Sequence, residues 1–263
     1  MHWHHPIVLL LLLLAGSLPV RATTGDDSAT QRLNAEGYRH YYGKGRPINH
    51  ARALHFYLQA AERGDAEAQF IAGGMLYRGL GTDPDHRSAF LWLFKAAEQG
   101  KSSSESLHLI GSAYFHGSPV PQNFLEARKW LDRATAQGSV AACSDLAYLL
   151  YTGLGGEQDR ARALALYEQA AREGDVFAQA NTGLMYASGT GTETDRARGY
   201  AWYSLAASRG NATAALNRNQ LMSAMSWEEL NRAQALAVHL YRQLENLPPP
   251  QAEPVDTPSA PFP

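Results

Sequence analysis

Ala178-Gln179-Ala180-Asn181-Thr182-Gly183-Leu184-Met185-Tyr186-Ala187-Ser188-Gly189-Thr190-Gly191 is followed by Asp195, then Tyr200-Ala201-Trp202-Tyr203, Ala206-Ala207 and Gly210-Asn211. In this stretch a small residue, Gly183, stands six positions ahead of Gly189, Asp195 stands six positions after it, and a second glycine, Gly210, stands 21 positions after it. The same spacing returns along the chain. Gly43, Gly79, Gly117, Gly153 and Gly189 each precede by 21 residues one of Gly64, Gly100, Gly138, Gly174 and Gly210, and within both series the steps are 36, 38, 36 and 36 residues. A period in this range marks a stacked-repeat architecture in which each copy is one supersecondary unit.

The residue types between the glycines say what that unit is. Asn49, Asp85, Asn123, Asp159 and Asp195 follow the first glycine series at a fixed distance, and their side-chain oxygens suit the orphan amides of a helix start. Further on, Ala53, Ala89, Ala127, Ala163 and Gly199 alternate with Phe56, Trp92, Trp130, Leu166 and Trp202 on one helical face, as packed helix pairs require. That helix runs past Ala60, Ala96, Ala134, Ala170 and Ala206 to a glycine that tolerates a left-handed cap. Ahead of the first glycine series, Gly37, Gly73, Gly111, Ala147 and Gly183 let another helix approach closely.

The spacing therefore predicts an all-α chain: a right-handed superhelical α/α solenoid of five helix-turn-helix repeats at residues 29–65, 66–101, 102–139, 140–175 and 176–211. Stacking supplies the core, since a lone helix pair would leave an apolar face wet. Residues 212–246 are expected as C-terminal capping helices, the last opened by the capping box Ser226-Trp227-Glu228-Glu229 and running to Leu244. The third unit departs from the pattern. Lys101-Ser102-Ser103-Ser104-Glu105 accounts for two extra residues, and Pro119-Val120-Pro121 replaces the second turn glycine. This irregularity either bends the stack or marks a contact site.

The pattern resembles the Sel-one-like repeat (SLR) family, a relative of the tetratricopeptide repeats. The match is clearest from Ala178 to Ala207, nearly as good from Ala66 to Gly100, and covers residues 29 to 246. The resemblance implies an adaptor or scaffold that binds other proteins, and for exported bacterial members a role in envelope assembly, signalling or host interaction. Some small members carry a β-lactamase label and a disulfide clamping each repeat. This chain departs there, because Cys143 is its one cysteine and has no partner.

Composition narrows the function further. A formal net charge of -2 with no basic cluster lacks the electrostatic footprint of a nucleic-acid binder. The single Cys143 excludes a thiolate zinc cluster and reads as a small buried hydrophobe. No Ser-x-x-Lys pair, Gly-x-Ser-x-Gly elbow, His-Glu-x-x-His or phosphate loop is present. His50 and His55 share a helix face poorly and read as surface histidines, and Asn211 reads as a helix cap rather than a glycosylation acceptor. A non-catalytic scaffold with no cofactor and no metal is expected, with a cell-wall or β-lactam-directed hydrolase as the alternative that the resemblance keeps open.

Both ends of the chain differ from the repeats. The apolar run from Ile7 to Ala15, broken by Gly16 and Pro19 and followed by Val20-Arg21-Ala22, reads as a signal peptide over residues 1–22, cleaved after Ala22. Nine apolar residues rise about 14 Å as a helix, short of a bilayer's hydrocarbon core, so no stable span is expected after processing. Residues 23–28 are expected as a flexible lead, and the Pro-rich residues 247–263 as a disordered tail. The protein is expected in the periplasm or the medium.

A binding face follows from the repeat register. Positions 12, 9, 5 and 2 before each first-series glycine fall on one side of the first helix. They carry Tyr38 and Tyr41 in the first unit, Phe70 and Tyr77 in the second, His108 and Phe115 in the third, and Tyr148 and Tyr151 in the fourth. Aromatic residues with polar tips offer large contact area to a protein, peptide or glycan partner. The competing reading places these rings in the joints between neighbouring first helices. In the fifth unit Phe177, Ala180, Leu184 and Ala187 read as core.

Overall fold

The computed structural model describes residues 24–246, which form twelve helices and, among the described residues, no strand. The first helices of the five units are α1 (Thr24–Tyr42), α3 (Ala66–Arg78), α5 (Ser104–His116), α7 (Ala141–Thr152) and α9 (Val176–Ser188). Their partners are α2 (His50–Glu62), α4 (His86–Glu98), α6 (Phe124–Ala136), α8 (Arg160–Arg172) and α10 (Arg196–Ser208), and the stack closes with α11 (Ala212–Ser223) and α12 (Trp227–Leu244). Each helix up to α11 packs chiefly on its neighbours in the chain, which is the connectivity of a solenoid, and α12 packs back on α10. The signal peptide expected over residues 1–22 and the tail over 247–263 lie outside the described residues.

The helix boundaries follow the chemistry of the turn residues. Asn49, Asp85, Asn123, Asp159 and Asp195 each accept the backbone N–H three residues on, at 2.9–3.1 Å. The backbone N–H of the same five residues donates back to His40, Leu76, Tyr114, Leu150 and Tyr186 in the first helix, at 2.8–3.0 Å. One residue thus starts the second helix and staples it to the first. Gly79 illustrates the turn before it: at φ +67° it is left-handed, a conformation a Cβ penalises. Asn211 caps α11, and Ser226 with Glu229 forms the reciprocal capping box of α12.

The small residues of the first helices set the helix spacing within a unit. A Cβ placed on Gly73 would lie 2.8 Å from Leu93 Cγ, on Gly111 2.7 Å from Leu131 Cγ, and on Gly183 2.8 Å from Tyr203 Cδ1. Buried Leu93, Leu131 and Trp130, with Leu146, Leu149 and Leu150, belong to one core cluster that runs from the second unit into the fifth. Amide side chains tie the units together. Gln69 Nε2 donates to Ala61 O at 3.2 Å, and Gln179 Nε2 to Ala171 O at 3.1 Å, each reaching the end of the preceding unit's second helix. Cys143 is buried and its thiol donates to Ser139 O, while burial pushes the thiol pKa up.

Two features correct the sequence reading. The flexible lead expected over 23–28 is helical from Thr24, because extending an existing helix gains a hydrogen bond per residue without new nucleation. The third unit also shows what its irregularity does. Gly81, Gly155 and Gly191, two residues after their turn glycines, press on the preceding unit's second helix; a Cβ there would lie 2.2–2.5 Å from the backbone of His50, Phe124 or Arg160. Pro119 occupies that place in the third unit. Where that unit joins the second, α4 meets α5 over fewer residues than α2 meets α3 or α8 meets α9.

Candidate functional site

The first helices line up side by side and carry an aromatic face. Between α1, α3 and α5 lies a groove of about 420 Å³, walled by Tyr38, Tyr41 and Tyr42 from the first helix and by Phe70 and Tyr77 from the third. Leu109 of α5 closes the far wall, and Tyr57 and Leu93 of the second helices form the floor. Tyr57 reaches this floor because Gly37, which faces its ring, has no side chain; a Cβ on Gly37 would lie 3.0 Å from the ring. Tyr57 is almost wholly buried. Burial first, then the neighbouring Tyr42, Tyr41, Glu67 and Tyr38, raises its phenol pKa to about 12, so it stays a neutral hydrogen-bond donor.

The expected site residues divide into two layers. Tyr38, Tyr77 and Tyr148 stand on the surface, at 48%, 37% and 37% exposure. Tyr41, Phe70, Phe115 and Tyr151 are half-buried and pack against the core. Phe115 contacts Tyr148 of the next unit edge-on, with ring centroids 5.8 Å apart, and Phe124 of its own unit at 6.1 Å. His108 reaches Asp145 of the next unit, Nε2 to Oδ2 at 3.5 Å, and belongs to the joint between the third and fourth units. Exposed rings and rings packed in the joints between units thus both occur on this face.

The fifth unit requires a correction. Phe177 and Leu184, expected as core, are 52% and 37% exposed, so the apolar face continues into this unit. Ala180 and Ala187 of the same helix do pack inward. Phe177 leans on buried Tyr167, with centroids 6.2 Å apart, and its outer face meets solvent because no later unit carries a bulky residue over it.

Beside the groove is a pit that the sequence did not announce. It measures about 240 Å³ and lies at the joint between the second and third units, with Phe90, Leu93, Leu109 and Ile110 as its apolar walls and His116, Ser118 and Pro119 at its rim. Tyr77, Leu93 and Leu109 border both the groove and the pit, so the two adjoin. Pro119, which stands where Gly81, Gly155 and Gly191 stand in other units, lines this space. Two signals for the site stood in the sequence. Tyr57 lies 20 residues after Gly37, the same interval that separates Leu93 from Gly73, and Pro119 falls where other units place glycine.

Among the described residues, no group of three or more His, Cys, Asp or Glu side chains is arranged to hold a metal ion, and no helix is long and apolar enough to cross a membrane.

Comparison with known proteins bears on the repeat. The Sel1 repeat family model matches residues 35–65, 66–101, 104–139, 140–175 and 176–211. The crystal structure of c5321, a protective antigen present in uropathogenic Escherichia coli strains displaying an SLR fold, is 29% identical with a TM-score of 0.57, covering 84% of this chain and 47% of that one. A Sel1 repeat protein from Oxalobacter formigenes is 32% identical with a TM-score of 0.54, covering 73% of this chain and 79% of that one. The chitin synthase regulator SKT5 of Saccharomyces cerevisiae is 31% identical over 98 residues, which are 36% of this chain and only 14% of that protein. The chain thus spans under half the length of c5321 and a small part of the yeast regulator.

Proposed function

The chain belongs to the Sel1 repeat family, and on that premise we propose that it is a non-catalytic scaffold that holds an extended segment of a protein partner along the face of its first helices. The observation that carries this is the aromatic face itself: Tyr38, Tyr77, Tyr148 and Phe177 are exposed along the first helices, and each is braced by a second ring, Tyr42, His86, Phe115 and Tyr167 respectively. A surface aromatic held in place by a second aromatic loses little freedom on binding. Repetition at the unit spacing suits a partner that presents side chains in succession, and tyrosine, with tryptophan and arginine, is enriched among the energetic anchors of interfaces.

The proposal places the protein in the bacterial envelope or the medium. What supports this is the apolar run Ile7 to Ala15 with small residues before Thr23. Secreted or periplasmic protein should begin at Thr23.

The test is a paired measurement on the Tyr77→Ala, Tyr148→Ala double variant. Both rings are exposed, so the melting temperature should stay within a few degrees of the parent, while capture of the partner falls by about tenfold or more. Normal capture, or a large fall in melting temperature, would return these residues to a structural role.

A further inference from the structure

We propose that the groove selects its partner by paired charges: an extended peptide segment that sets a basic side chain against Glu105 and, about four residues away, an acidic side chain against Arg78, with apolar residues over the aromatic wall between them. The inference rests on the reading of this face as the binding face, and it names the chemistry of the partner.

The groove is bipolar. Tyr38, Tyr41 and Tyr42 stand in the last turns of α1 and Glu105 in the first turn of α5, so the groove runs obliquely across α3. Glu67 and Glu105, from the first turns of α3 and α5, make one end acidic, and Arg78, from the last turn of α3, lines the groove as a cation. Arg78 lies inward because Gly74, one turn earlier, has no side chain. The guanidinium folds back over it, with Nη2 3.2 Å from the place a Cβ on Gly74 would take.

The acidic end already receives a cation. Lys101, from the connection between α4 and α5, pairs with Glu67 and holds its ammonium 5.9 Å from the centroid of the Phe70 ring. A carboxylate beside an aromatic face is suited to a basic side chain, which gains from the charge and from the ring together. Glu67 is thereby taken. Glu105 and Arg78 are both exposed, and neither makes an ion pair with another described residue. They are the two charges of the groove left for a ligand, and they are of opposite sign.

Their separation sets the spacing in the partner. Glu105 holds on α5 the place that Glu67 holds on α3, each 12 residues before its turn glycine, and Gly74 lies seven residues after Glu67. Seven residues are about 10 Å along the helix, and the step from one first helix to the next is about 10 Å more across it. The diagonal is about 14 Å, which four residues of extended chain span. Between the two ends the segment passes Phe70 and Tyr77, which suit apolar side chains or proline.

The experiment selects a phage library of random twelve-residue peptides on the full chain. Enriched peptides should carry a basic and an acidic residue about four positions apart. One of them, synthesised with a fluorophore, should bind Glu105→Lys and Arg78→Glu about tenfold more weakly than the parent, while both variants keep the parent's melting temperature. Changing the peptide's basic residue to glutamate should restore binding to Glu105→Lys, and changing its acidic residue to lysine should restore binding to Arg78→Glu. Peptides enriched without the charge pair, affinities unmoved by either variant, or no recovery in the swapped pairs would overturn the proposal. If such peptides still lose binding to the Tyr77→Ala, Tyr148→Ala variant, the groove reading stands and the charge pairing alone falls. If no enriched peptide depends on those tyrosines, both fall.

Discussion

Gly73 and Gly74 are neighbours in α3, and alanine should act in opposite directions at the two. Both replacements gain helix propensity, about 1 kcal/mol each in a helix interior. At Gly73 the added Cβ would lie 2.8 Å from Leu93 Cγ and 3.1 Å from Leu93 N. The backbone cannot swing aside, so α3 and α4 must separate by roughly half an ångström or more, an overpacking that costs about 1–3 kcal/mol. At Gly74 the first atom met is Nη2 of Arg78 at 3.2 Å, the tip of a long and exposed side chain. Propensity then stands almost alone. Gly73→Ala should therefore be destabilised by up to about 2 kcal/mol and Gly74→Ala stabilised by up to about 1 kcal/mol. Because the propensity gain cancels between them, their difference isolates the steric contact. Urea unfolding followed by circular dichroism measures it, with the slope compared so that loss of cooperativity along the stack is recognised. Adding Leu93→Ala to Gly73→Ala should cost less than Leu93→Ala alone, because the first change fills part of the space the second opens. A Gly73→Ala chain as stable as Gly74→Ala would refute the close packing of α3 on α4.

Three further outcomes are expected. Gly174, at φ +95° with its carbonyl accepting from Arg209 Nη1 at 3.2 Å, should lose about 1 kcal/mol on replacement by alanine, against less than about 0.5 for exposed Gln169→Ala, in the same denaturation assay. Buried Cys143, its thiol pKa raised by burial, should resist a thiol reagent in the native chain and react once per chain after unfolding, so labelling rates will report opening of the fourth unit. His40 Nε2 accepts from Arg46 Nη1 at 3.0 Å, and the ring stacks on Phe56 and is kept below its usual pKa of 6.5 by burial and by Arg46 and Arg52, with Glu36 opposing. The unfolded state then takes up the proton first, so stability present above about pH 6.5 is lost as pH falls through the lower folded value; His40→Gln should flatten this dependence, and an unchanged profile would remove His40 as its source.

The elements of the fold are legible in the sequence because each boundary is a local event. Asp195 caps α10 and Gly189 ends α9 through contacts made within a few residues, and both recur at a fixed period. The site is less legible because exposure is decided by the neighbouring unit. Phe115 and Tyr77 hold the same register position, yet Phe115 is covered by Tyr148 and Phe124 while Tyr77 opens on two cavities. Phe177 reads as core from an apolar pattern that cannot say whether a further aromatic will cover it. The pit is the clearest case. Its sequence signal is a proline in place of a glycine, but the meaning of that change depends on Gly81, Gly155 and Gly191 pressing against the preceding helix, a contact between residues about 30 positions apart.

The central claim, that partners bind on the face of the first helices, is tested most directly by site-specific photo-crosslinking in cells at two exposed positions of one unit. Tyr77 borders the groove, while Leu91 is exposed on α4. The account predicts that one partner is crosslinked from position 77 and not from position 91. Equal crosslinking from both positions, or crosslinking from position 91 alone, would contradict it.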